Sequence, residues 1–224
     1  MDRLLRALAP VTDAAWSEIE TEATRSLSHY LAARKVVDFT GPLGWEAAAV
    51  PTGRVEAVAA DELPGVEARR RQVLTLVELR TPFTLARAEL ERIDRGATDA
   101  DLEPVVEAAR RAAFAEDRLV FHGTSDGQTV GIAQCSPHQP IELSEDYGNY
   151  AGFVARGGAT LTDAGVGGPY ALALGPRCYR GVIETTEHGG YPLLEHLRLI
   201  LGGPVVWAPA VDGAVLISQR GGDL

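Results

Sequence analysis

Five histidines, two cysteines and 31 acidic side chains are the raw material for chemistry in these 224 residues. Cys135 and His138 stand three apart, a metal-ligand spacing, but one pair supplies half of a tetrahedral zinc site and no second pair matches it. His122-Gly123-Thr124-Ser125-Asp126 holds the residue types of a hydrolytic triad. Those residues are chain neighbours in a turn-rich stretch, whereas a triad is assembled across a fold. A small cytoplasmic hydrolase built on them is the enzymatic alternative; a loop after a helix is the plainer reading. Ala164-Gly165-Val166-Gly167-Gly168-Pro169 departs from the dinucleotide-binding pattern and precedes a strand instead of following one. Lys35, the sole lysine, is followed by Val36, so no phosphate-binding Gly-Lys-Ser/Thr loop exists. Asp99 and Asp101 open a helix, where acidic groups complement the backbone dipole. The sequence therefore offers no catalytic residue, no metal site and no cofactor site.

Two groups stay unabsorbed. Arg34 and Asp38 form a charged pair just after an amphipathic helix, which as a plain surface ion pair contributes about 0 to 1 kcal/mol. Thr186-Glu187-His188-Gly189-Gly190-Tyr191-Pro192 is a polar, glycine-rich connection between two helices.

Composition bounds what such groups can serve. Hydrophobic residues make up 46% and charged residues 23%, the balance of a globular chain. The formal net charge of -10 disfavours nucleic acid as a partner. No apolar run reaches the ~18 to 20 residues that span a bilayer, and the first residues lack the apolar core of a secretory signal. Two cysteines make no disulfide framework, which reads as a cytoplasmic protein.

The positioning elements follow from periodicity. Trp16, Ile19, Ala23, Leu27 and Tyr30 recur at helical steps, predicting a helix over about Asp13 to Ala33 with Thr12 as its cap. Two extended runs, about Ala47 to Ala60 and Val73 to Leu85, flank Arg69-Arg70-Arg71 and have thin apolar content; they predict a projecting hairpin arm that needs a support, since isolated ribbons are marginal. A short helix over Ala86 to Arg95 and a long spine helix over Asp99 to Leu119 come next. Gly148, Gly152, Gly157 and Gly158 should interrupt the following helical pattern, because each glycine costs ~1 kcal/mol there. A strand at Pro169 to Leu174, helices at Pro176 to Thr186 and Pro192 to Leu201, and strands at Val205 to Val211 and Ala214 to Ser218 complete the reading, with Asp212-Gly213 as a hairpin turn between the last two.

Read in order, several segments resemble the encapsulin shell proteins, formerly described as linocin-like bacteriocins. These are Leu8-Ala9-Pro10-Val11-Thr12 with Trp16 and Glu18-Ile19, Arg34-Lys35-Val36-Val37-Asp38, and Gly41-Pro42-Leu43-Gly44-Trp45. Pro82-Phe83-Thr84-Leu85, Glu116-Asp117 with Phe121, Gly168-Pro169-Tyr170, Tyr191-Pro192-Leu193, Ala208-Pro209-Ala210 and Arg220-Gly221-Gly222-Asp223 continue the set across the whole chain.

The resemblance implies an α+β chain with the Hong Kong 97-type phage capsid fold. Residues 1–45 and 73–122 would form a peripheral domain with the spine helix, 46–72 an extended loop over a neighbouring subunit, and 123–224 an axial domain. It implies a homo-oligomer: an icosahedral nanocompartment in the bacterial cytoplasm, itself no enzyme, enclosing cargo that carries a terminal targeting peptide. A ferritin-like protein or a dye-decolourising peroxidase are the cargo types it suggests, with iron storage an associated role. Cargo-binding positions would be Leu27, Tyr30, Leu31, Arg34 and Asp38; pore positions at the fivefold opening would be Glu187, His188, Gly189 and Gly190. Relatives continue past Arg-Gly-Gly-Asp with strands returning to the peripheral domain, and this chain stops at Leu224. A shell-like protein that does not close a cage is therefore a further alternative.

Overall fold

β3, Tyr170–Leu174, is buried on both faces and organises the larger part of the chain in this computed structural model, which describes residues 5–59, 66–187 and 189–220. Side chains alternate across a strand, so Tyr170, Leu172 and Leu174 enter one core while Ala171 and Ala173 enter another. A strand covered on both faces reads as an unbroken apolar run. β4, Val205–Trp207, pairs parallel to one edge of β3, and β5, Ala214–Ser218, pairs antiparallel to the other. The Asp212-Gly213 turn therefore does not close a two-strand hairpin: the order is β4-β3-β5, with β3 inserted between the strands that the turn joins.

The face of β3 with the large side chains meets three helices: α5 (Tyr150–Asp163), α6 (Pro176–Glu184) and α7 (Leu193–Leu201). α5 is unbroken, against the expectation of interruption by glycine. Packing is the reason at one of these positions. A Cβ at Gly157 would lie 2.9 Å from Leu216 of β5, so the glycine admits the sheet. The alanine face of β3 meets Ala32, Ala33, Val36 and Phe121, which brings in the other helices.

Those are α1 (Asp13–Tyr30), α2 (Arg87–Asp94) and the spine helix α3 (Glu103–His122), followed by the short α4 (Ile132–Cys135). The Thr12 hydroxyl accepts from the Ala15 amide at 3.2 Å, as the cap reading required. The spine starts later than expected because Asp101 turns the chain first, accepting from the Glu103 amide at 3.0 Å, with Pro104 inside the first turn. Gly123, at φ 67°, ends it.

Residues 39–79 form a separate unit. β1, Ala49–Val58, runs antiparallel to β2, Ala68–Thr75, with a register shift between Pro51 and Val55. A proline cannot donate to the ladder, which suits it to such a shift. The arginine run lies inside β2 rather than between strands: Arg70 is directly opposite Glu56 and pairs with it at 3.1 Å, a cross-strand contact that supports pairing there. From residue 76 to 86 the chain is irregular, where strand was expected.

Candidate docking surface and pore loop

α1 rests on α3 through small side chains: Ala15 and Ser26 on α1, and Ala108, Ala109 and Ala113 on α3, are all buried. The inward seam is thus rotated from the predicted stripe. Ile19 stays inside, while Trp16, Ala23, Leu27 and Tyr30 are half-buried along the edge. A row of apolar side chains is left in reach of solvent on the outer flank of α1.

The end of α1 is fixed by a buried carboxylate. Asp117, 1% exposed, accepts from the Ala32 amide at 2.8 Å and the Ala33 amide at 2.9 Å. These two donors open the short 3-10 turn Ala33–Lys35 and would otherwise be unpaired in the core. Burial pushes the Asp117 carboxyl above its ordinary value, against the two amides, which hold it down. Immediately beyond, the Arg34 fork donates to Glu116 with Nε–Oε1 at 2.5 Å and Nη2–Oε2 at 2.8 Å. That hydrogen bonding raises the Arg34 guanidinium further. Arg34 is thus held by a bidentate bond to Glu116, a partner that its place in the sequence beside Asp38 does not announce.

Of the five positions that the resemblance assigns to cargo, Leu27 and Tyr30 are half-buried, Arg34 and Asp38 are exposed, and Leu31 is 8% exposed. Leu31 belongs to the interior, so it shapes the surface from beneath. The structure adds neighbours that sequence reading missed. Tyr30 lies 5.9 Å from Trp207 and His29 5.5 Å from it, ring centre to ring centre. Trp207 comes from β4, far along the chain, and no spacing rule links it to α1. Leu27, Tyr30 and Trp207 offer apolar area, with Arg34 and Glu116 as a charged edge; such a combination suits an extended peptide with aliphatic side chains.

The second candidate is the turn between α6 and α7. Thr186 bridges to Pro192, the Glu187 amide donates to Tyr191 O at 2.8 Å, and the Gly190 amide donates to Glu187 O at 2.9 Å. Gly189 and Gly190, at φ 95° and 80°, take backbone conformations that side chains disfavour. The Glu187 carboxylate accepts from His196 Nδ1 of α7 at 2.7 Å. His188 lies outside the described residues.

The hydrolase alternative finds no assembled site. His122 Nε2 donates to Ala210 O at 3.0 Å, and Asp126 accepts from the Gln128 amide at 3.1 Å within its own turn. The Thr124 hydroxyl holds the Asp126 carboxyl below its usual range. Among the described residues, no group of three or more histidine, cysteine or acidic side chains is placed to hold a metal ion.

A family model described as an encapsulating protein for peroxidase matches residues 1–224. The chain belongs to the encapsulin shell-protein family. It is 54% identical over 228 residues to the Type 1 encapsulin shell protein of Rhodospirillum rubrum, spanning 100% of this chain and 81% of that one. The Type 1 encapsulin shell protein of Mycobacterium tuberculosis is 45% identical over 223 residues, with 100% and 83% covered. A diheme-cytochrome-encapsulin shell fusion protein of Kuenenia stuttgartiensis is 25% identical over 199 residues, 85% of this chain and 55% of that one. Among solved structures, the virus-like particle from Pyrococcus furiosus superposes with a TM-score of 0.55 at 14% identity, over 92% of this chain and 79% of that chain. That likeness concerns the fold, which is the α+β capsid fold of the Hong Kong 97-type. An encapsulin of this family is a structural shell protein and not an enzyme.

Proposed function

We propose that this shell subunit assembles into a closed cytoplasmic nanocompartment and recruits an enzyme by a terminal peptide laid along the end of α1. The observation that carries the docking reading is the half-buried strip of Leu27 and Tyr30 beside Trp207, edged by the Arg34–Glu116 fork. Each aliphatic anchor buried there would be worth roughly 1.5 to 3 kcal/mol. Leu31 supports the surface from inside, and Arg34 and Asp38 would register the peptide backbone. A peroxidase is the cargo that the family description favours. The tethered cytochrome of the Kuenenia stuttgartiensis relative is a redox protein joined to a shell, which fits the same arrangement. A ferritin-like protein is the other cargo class, with iron storage as its consequence.

The turn Glu187 to Gly190, His188 included, would line an opening at a symmetry axis, where repeated carboxylates favour cations. Support for that reading is its position at the tip of two helices and its backbone bonding, which holds a defined rim.

Docking is tested by co-expressing Leu27→Asp and Arg34→Glu variants with a fluorescent protein bearing the cargo's terminal peptide. The expected result is intact, empty shells. Full loading in both variants removes the docking reading.

A further inference from the structure

Between α5, the β3–β5 sheet and the irregular chain after α4 lies a partly open cavity of about 300 Å³, which neither the docking surface nor the α6–α7 turn uses. Its floor belongs to the core: Val154, Leu172 and Leu174 are buried. Its walls are half-buried apolar side chains, chiefly Phe153 and Leu161 of α5, Leu216 of β5 and Ile141. Two small residues keep it open. A Cβ at Gly157 would stand 2.9 Å from Leu216 and 3.8 Å from Ile141, so α5 passes there without a side chain. Ala214, opposite Leu174 in the sheet, shares the face of Leu216 and fills little of the space.

Charge decides what can enter. None of the lining residues is Asp, Glu, Lys or Arg, in a chain where these make up 23%. An ion placed there would lose its water and gain no counter-charge. The aromatic wall, where Phe153 meets Tyr150 edge to face at 6.0 Å, suits a planar ring. Polar side chains reach the cavity mainly from the chain after α4, as Ser136, His138 and Gln139. Thr160 also lines it, but its hydroxyl donates to Arg156 O at 3.0 Å. Ser136 Oγ accepts from the His138 amide at 3.3 Å, while among the described residues the His138 ring has no hydrogen-bond partner. Ser136 and Gln139 are exposed and His138 is half-buried, so a bond from the imidazole to a ligand is the one shielded from water.

We infer that this cavity binds a neutral aromatic molecule with a hydrogen-bonding group at one end, its ring against the apolar walls and its polar end on His138. At ~30 Å³ per water the space equals about ten waters, which sets the occupant at roughly ten to fifteen non-hydrogen atoms. Cavities of this size and lining are where small ligands are held.

The test is equilibrium dialysis of the purified, assembled protein at neutral pH. The ligands are 2-naphthol and, separately, 2-naphthoate, the same ring bearing a carboxylate. 2-Naphthol should saturate at about one molecule per subunit. 2-Naphthoate should bind at least about tenfold more weakly, since its charge finds no partner. Ala214→Leu fills the cavity from the sheet, and Ala133→Phe fills it from the exposed side on α4. Each should weaken 2-naphthol at least about tenfold; the exposed position keeps the test decisive if the sheet variant melts early. His138→Leu should weaken it about fivefold. Leu27→Asp, on the peptide-docking surface, should bind as wild type does. Absence of saturable binding, wild-type binding in the filled variants that melt normally, or loss of binding in Leu27→Asp overturns the site. Equal binding of 2-naphthoate overturns the neutral class, and unchanged binding in His138→Leu overturns the polar end.

Discussion

Removing the Asp117 carboxylate should loosen the join between α1 and the spine more than any other single polar change in that region. Asp117→Ala leaves the Ala32 and Ala33 amides without acceptors at 0% and 1% exposure. A buried unsatisfied donor costs about 1 to 3 kcal/mol, and two of them, offset by no longer burying a carboxylate, put the loss near 3 kcal/mol. Asp117→Asn keeps one acceptor and turns an amide N–H toward the other donor, so its loss should be about half that. For a domain of this size, 3 kcal/mol corresponds to a fall in Tm of about 6 to 12 °C. Thermal melting of purified particles, followed by tryptophan fluorescence, measures this. The pH dependence has a definite sign. Because burial raises the folded carboxyl above the ordinary 3.8, the folded state binds the proton more readily. The stability this titration contributes is fully present below 3.8 and is lost as pH rises through the raised folded value. Wild type should therefore gain on Asp117→Asn as pH falls across that window. A Tm for Asp117→Ala within about 1 °C of wild type at neutral pH refutes the reasoning, since it would mean the two amides find other partners.

The glycines separate packing from propensity. In Gly181→Ala the new Cβ would fall 2.1 Å from the Tyr147 ring, so melting should drop by several degrees; Gly152→Ala, with open space in the first turn of α5, should gain about 0.5 kcal/mol. Equal effects in the same melting assay would contradict the packing account. Deleting residues 46–72 should abolish particles in negative-stain images and leave soluble protein, because an exposed two-stranded ribbon is marginal without a support; shells that still close would show that assembly does without the arm.

Elements with strong periodicity were legible. Thr12 caps its helix as its residue type dictates, and the β3 run Tyr170–Leu174 is apolar throughout because both its faces are covered. What failed did so through tertiary packing. Gly157 sits inside an intact helix since Leu216 needs the space. Asp212-Gly213 has local hairpin chemistry, but a turn signal does not say that a third strand will lie between its neighbours. Arg69-Arg70-Arg71 was read as a basic cluster between the extended runs, whereas Glu56 opposite Arg70 lets the run sit inside β2. At the candidate surfaces, Arg34 was visible as a charge but its Glu116 partner sits 82 residues away, and Trp207 joins Tyr30 only through the fold. Leu31 was given to the docking surface by the family resemblance; the chain turns at that point and leaves it 8% exposed, a placement set by the fold and not by spacing.

Assembly is the claim on which the cargo and pore readings depend, and mass photometry of the purified protein measures it directly, with negative-stain microscopy to show shape. The account predicts closed, uniform particles built from many copies of the 23.8 kDa chain. A sole species at 23.8 kDa, with no particles on the grid, would contradict it.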